Sequence, residues 1–142
     1  MQALQEKERI AKVLFMLRLL SEKTQREIGK GISVSFQQIQ KYEKCLNGVS
    51  SDKLFSLAKQ NNWDINVLFG SNPAELLEQI PSDKRRKVES QFKQIEHNIE
   101  EERKLQAYYE PLMPKLEQEL AHKVTYKEPS ISEVEIEQKK YA

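Results

Sequence analysis

The sequence predicts an all-α protein: five short helices over residues 5–72, a helical extension over residues 73–123 and a disordered tail over residues 124–142. Three observations carry this. Apolar residues recur at helical spacing through most of the chain, and the one short alternation, Ile32-Ser33-Val34-Ser35, is too brief to be a strand. Hydroxyl or carboxylate residues stand where the short helices should start, as N-caps do. The four glycines (Gly29, Gly31, Gly48, Gly70) all precede the five prolines (Pro73, Pro81, Pro111, Pro114, Pro129). The composition therefore changes at Gly70-Ser71-Asn72-Pro73, a helix stop and linker.

The first helix, about residues 5–21, places Ile10, Val13, Leu14, Leu17 and Leu20 on one side. Thr24 caps the second, with Glu27 three residues on as its capping-box partner. Gly29 and Gly31 stop that helix from running on. Ser35 caps the third, which runs through Tyr42. Ser50 or Ser51 caps the fourth, with Leu54, Phe55, Leu57 and Ala58 inward, and Asp64 opens a short fifth carrying Ile65, Leu68 and Phe69. Pro73 starts a further short helix with Leu76, Leu77 and Ile80. From Ser82 a long helix spaces Val88, Phe92, Ile95 and Ile99 as a seam of barely two heptads, suited either to dimerisation or to packing within the chain. After Glu100-Glu101-Glu102-Arg103-Lys104 a second stripe follows: Leu105, Tyr109, Leu112, Leu116 and Leu120. Pro111 and Pro114 interrupt it, which fits a helical hairpin or a kinked helix. In the tail, Glu133-Val134-Glu135-Ile136-Glu137 alternates as a strand would against a partner.

Bulk properties narrow the function. No apolar run approaches the roughly 18 residues of a membrane span, and the polar start does not resemble a signal peptide, so a cytoplasmic protein without membrane contact is expected. Cys45 is the single cysteine, so no internal disulfide forms; a packed small residue is expected there rather than a redox sensor. The two histidines, His97 and His122, have no metal-ligand spacing, and no paired nucleophile and base or phosphate-cradling glycine loop is present. Neither enzyme activity, metal nor cofactor is expected. Net charge is +1, but residues 1–70 hold 11 Lys/Arg against 7 Asp/Glu, a basic half that points weakly to a polyanion.

The third helix is the informative element. On a wheel of about 100° per residue, Gln40, Lys44, Gln37 and Lys41 lie within roughly 140° of Phe36, with Gln38, Ile39 and Tyr42 opposite. Glutamine can pair with adenine N6 and N7, lysine with guanine O6 and N7, and a ring can pack on a thymine methyl, at about 1–3 kcal/mol of discrimination for each good pairing. A solvated surface also shows glutamine and lysine; Phe36 argues against that reading, because a ring on a purely solvated face needs another reason to be there.

Residues 10–69 resemble the XRE-type helix-turn-helix domain, the lambda-repressor-like fold of phage Cro proteins and repressors. The resemblance rests on Gln25 opening the second helix, Ile28 three positions later, Ile39 fourteen positions after Gln25, and Tyr42-Glu43 closing the third helix. The run from Phe36 to Glu43, with Asn47 after it, is similar to a bacterial subgroup of such regulators. The resemblance implies a sequence-specific, double-stranded-DNA-binding transcriptional regulator that reads the major groove with the helix around residues 35–44. Gln25 would bond a DNA phosphate; Ser35, Phe36, Gln37 and Lys41 would face the groove; Gln40 would contact groove or phosphate; Lys44 and Asn47 would meet the backbone. Arg18 would pair with Glu43. The chain departs from the family pattern at Gly29 (usually Ala), and at Ser33 and Cys45 (usually Gly). The last two would sit at positions favouring positive φ, unless Gly31 takes that role in the turn.

Proteins of this class bind two half-sites about one turn of DNA apart, which implies a homodimer. Repression is expected over activation, because occupancy of a promoter suffices for it. The alternative is an antitoxin-like protein whose segment 82–142 binds a protein partner. Asp83-Lys84-Arg85-Arg86-Lys87 reads first as a capped, charged helix start and second as a contact for DNA phosphates.

Overall fold

The computed structural model describes residues 2–123, and the expected disordered tail, 124–142, with its strand-like alternation, lies outside the described residues. The elements are α1 (Gln2–Leu20), α2 (Gln25–Gly31), α3 (Phe36–Glu43), α4 (Ser51–Asn61), α5 (Ile65–Gly70), α6 (Pro73–Leu77), α7 (Ser82–Tyr109), a 3₁₀ turn (Glu110–Leu112) and α8 (Met113–Lys123). No strand occurs among the described residues, and Ile32–Ser35 is part of the connection from α2 to α3.

Local chemistry sets the boundaries. The Thr24 hydroxyl accepts from the Glu27 amide at 3.2 Å and donates to the Glu27 carboxylate at 3.1 Å, so the expected partners meet, with the carboxylate on the cap hydroxyl rather than on its backbone amide. Ser35 accepts from the Gln38 amide, Asp64 from that of Asn66, and Asn72 from that of Ala74. The C-termini share one device. Glu22, Ser33, Cys45 and Asn62 follow α1 to α4 with φ of 53°, 57°, 61° and 55°, in the left-handed region that favours glycine. After α2, the Val34 amide donates to Gly29 O at 2.9 Å and the Ser33 amide to Lys30 O at 3.4 Å; after α3, the Leu46 amide donates to Lys41 O and the Cys45 amide to Tyr42 O. These are Schellman closures built on side-chain-bearing residues. Among the described residues no glycine has positive φ, so Gly31 does not relieve Ser33.

The described residues divide into two compact units, one ending at Lys104 and one beginning at Leu105. The boundary expected after residue 72 is therefore displaced. The reason is burial: Leu76 and Ile80 around α6, and Val88 of α7, close the same core as Val13, Leu14, Met16 and Leu17 of α1, Ile28, Ile39, Leu54, Leu57 and Leu68. Further along, Ile95 and Ile99 pack with Leu4, Ala11 and Cys45 in a second cluster. The Val88–Ile99 seam thus lies inside the first unit, with Val88 and Ile95 0% exposed and Ile99 1%. Of the two uses open to it, packing within the chain is the one observed.

Polar contacts secure the same docking. Lys12 Nζ donates to Glu8 at 3.1 Å and to Glu96 at 3.0 Å, and Lys7 Nζ to Glu102 at 2.7 Å. Burial alone would lower the Lys12 pKa, but the bonds to Glu96 and Glu8 outweigh it and hold it above its ordinary value. Phe55, expected inward, is exposed: Leu54, Leu57 and Ala58 define the inner face of α4, and Phe55 stands one helical step off it, 5.7 Å from the ring of Phe69.

In the second unit, helix continues past Lys104 to Tyr109. Pro111 sits in the 3₁₀ turn and Pro114 in the first turn of α8, where a missing amide costs no helical bond. Leu105, Tyr108, Tyr109, Leu112, Met113, Leu116 and Leu120 are all exposed. No helix among the described residues is long and apolar enough to cross a membrane.

Candidate nucleic-acid interface

The centre of the candidate site is a buried ion pair behind α3. Arg18 Nε and Nη2 donate to Glu43 Oε2 and Oε1 at 2.6 and 2.9 Å, and Nη1 donates to Lys23 O at 3.0 Å. Glu43 is 2% exposed and Arg18 8%. The third partner is Gln25, whose Nε2 donates to Glu43 Oε1 at 2.9 Å. One carboxylate therefore joins the C-terminal half of α1, the first residue of α2 and the last residue of α3. Such a bidentate geometry fixes orientation as well as distance.

The turn between α2 and α3 is tight because Gly29 lacks a side chain. A Cβ there would stand 2.6 Å from Val34 O and 3.3 Å from the Ser35 carbonyl group. The alanine usual in the resembled family would force this approach apart.

The expected contact residues fall into three groups. Gln37 and Lys41 are exposed on α3, next to Ser35, whose hydroxyl is engaged as the cap. Phe36 belongs here too, but the Arg26 guanidinium lies over its ring at 4.3 Å to the centroid, so one ring face is covered. Gln25, Gln40 and Lys44 form the second group and line a cleft of about 990 Å³ bounded on its far side by the start of α7. Asn47 stands apart, lining a smaller pocket with Ala3, Glu6 and Lys7 of α1.

Several participants were not legible in the sequence. Gln91 Nε2 donates to Glu43 O at 2.7 Å, and Asn98 Nδ2 donates to Lys44 O at 2.7 Å. Two amides seven residues apart on α7 thus satisfy carbonyls at the end of α3 that the helix itself leaves unpaired. Their spacing places them on one helical face, but their partner is invisible without the docking of α7. Arg26 was missed for the same kind of reason: its partner lies across the turn.

Cys45 is 1% exposed, and burial raises its thiol from 9.0 to about 11, which makes it a packing residue and a poor nucleophile. No group of three or more His, Cys, Asp or Glu suited to a metal ion occurs among the described residues. No protein-family model, curated protein or solved structure matches the chain.

Proposed function

We propose that the chain is a sequence-specific, double-stranded-DNA-binding regulator of the XRE type, acting as a repressor. The observation that carries this reading is the pairing of an exposed α3 edge, Gln37 and Lys41, with a buried ion pair, Arg18–Glu43, to which the half-buried Gln25 is bonded. A helix that reads base edges must hold its side chains at fixed depth and register, and phosphate contacts set that register. Gln25 keeps a second amide N–H beyond the one given to Glu43, which leaves it able to donate to a phosphate. Gln37 and Lys41 supply donors and an acceptor of the kind used on adenine and guanine in the major groove.

A homodimer accompanies this reading. Because the Val88–Ile99 seam is buried inside the first unit, the contact falls to the exposed apolar residues between Leu105 and Leu120. Seven large apolar side chains stand exposed over this short stretch, a concentration of the kind that marks an interaction surface rather than scattered single residues.

The test is selection of bound duplexes from a random pool, with sedimentation of the free protein. A short near-palindromic motif and a dimer are expected. Motif-free binding would refute sequence-specific regulation. A monomer would shift residues 105–120 to a different protein partner, the antitoxin-like alternative.

A further inference from the structure

The cleft beside α3 carries charge that the ion pair does not use. Its α7 wall presents Lys84, Arg86 and Lys87, and its opposite wall Gln25, Gln40 and Lys44. None of these four cations has a carboxylate within ion-pair distance among the described residues. Glu22 and Asp83 also line the cleft and offset part of the charge, leaving a net cationic surface. A charged first turn on a solvated helix would need no such placement. Here Gln91 and Asn98 hold α7 against the end of α3, so the helix turn that carries the lysines and arginine is held across the cleft from Gln25.

Resting on the DNA-binding reading above, we infer that this cleft is a second phosphate site, in which Lys84, Arg86 and Lys87 extend the backbone contact begun by Gln25 onto the flank of the duplex. The ligand is the phosphodiester backbone, bound without regard to sequence. The segment following the helix-turn-helix thereby contributes affinity and leaves base choice to α3.

The experiment measures duplex affinity against salt for the full chain and for the triple variant Lys84→Gln, Arg86→Gln, Lys87→Gln. A second triple variant, Lys59→Gln, Lys93→Gln, Lys104→Gln, removes the same charge from exposed positions outside the cleft and outside the Leu105–Leu120 stretch. Each lost phosphate contact lowers the slope of log affinity against log salt by about 0.9, so the cleft variant should lose about 2.7. Between 50 and 200 mM salt the parent would then weaken roughly forty-fold more than the cleft variant. The selected motif should be unchanged, the control variant should keep the parental slope, and circular dichroism should show all three proteins folded. An unchanged slope in the cleft variant, or an equal loss in the control, overturns the inference while leaving the DNA reading intact. Absence of any duplex binding by the parent overturns the DNA reading itself. Titration with inorganic phosphate separates the two sources of the anion: saturable uptake in the cleft with an unaltered DNA slope would make it a site for a small free anion and refute the backbone role.

Discussion

Replacing Glu43 with leucine removes the only carboxylate bonded to Arg18 among the described residues and the acceptor of Gln25. Arg18 stays 92% buried, with only the Lys23 carbonyl left to it. Removing one partner of a buried pair costs about 3–5 kcal/mol, because the surviving charge is stranded away from water. For a unit of this size, at about 4 °C per kcal/mol, the melting midpoint should fall by roughly 12–20 °C. Arg18→Met strands the carboxylate in the same way and should cost a similar amount. The double variant Arg18→Met/Glu43→Leu removes both charges and replaces them with apolar side chains. Its loss should be no more than about 2 kcal/mol, far below the sum of the singles. Thermal and urea unfolding of the four proteins would complete the cycle. Single losses under about 1 kcal/mol, or a double loss equal to the sum, would refute the argument that the pair is desolvated and coupled.

Three further expectations concern the fold. A fragment ending at residue 72 discards Leu76, Ile80, Val88, Ile95 and Ile99, worth roughly 8–15 kcal/mol of burial, comparable with the whole stability of a small domain. It should show no cooperative melt by circular dichroism, whereas residues 1–104 should. Gly29→Ala should lose up to about 2 kcal/mol in urea unfolding, since overpacking against Val34 O outweighs the gain in helix propensity; Ser33→Gly should gain about 1 kcal/mol by relieving its positive φ. The Cys45 thiol should resist iodoacetamide at pH 8 until denaturant is added. Because its folded pKa is raised, its contribution to stability is complete below about pH 9 and is lost as pH rises through about 11, which alkaline melting curves would register.

Much of the first unit was legible in local sequence. Thr24 with Glu27, Ser35 and Asp64 mark helix starts because a cap acts on amides two or three residues away, and Pro73 marks one because its fixed φ and missing amide suit the first helical position. The spacing of Val13, Leu14 and Leu17, or of Leu54, Leu57 and Ala58, marks inner faces because a helix returns to one side every three to four residues. Phe55 shows the limit of that rule, since hydrophobicity alone did not tell an inward ring from an exposed one.

Other features depended on elements far apart in the chain. Gly70-Ser71-Asn72-Pro73 signals a break in secondary structure, but a break between helices is not a break between cores. Only the packing of α6 and α7 onto α1 extended the unit to Lys104. A two-heptad seam specifies an apolar partner without saying which, and the nearby faces of α1 and Cys45 took it. Gln40 and Lys44 share a wheel sector with Phe36, yet α7 turned them into one wall of a cleft. The sequence by itself determined the helices, their caps and the α3 surface, because those follow from interactions within a few residues. Tertiary structure alone decided what covers each face, because burial is shared between segments up to about a hundred residues apart, as between Lys7 and Glu102.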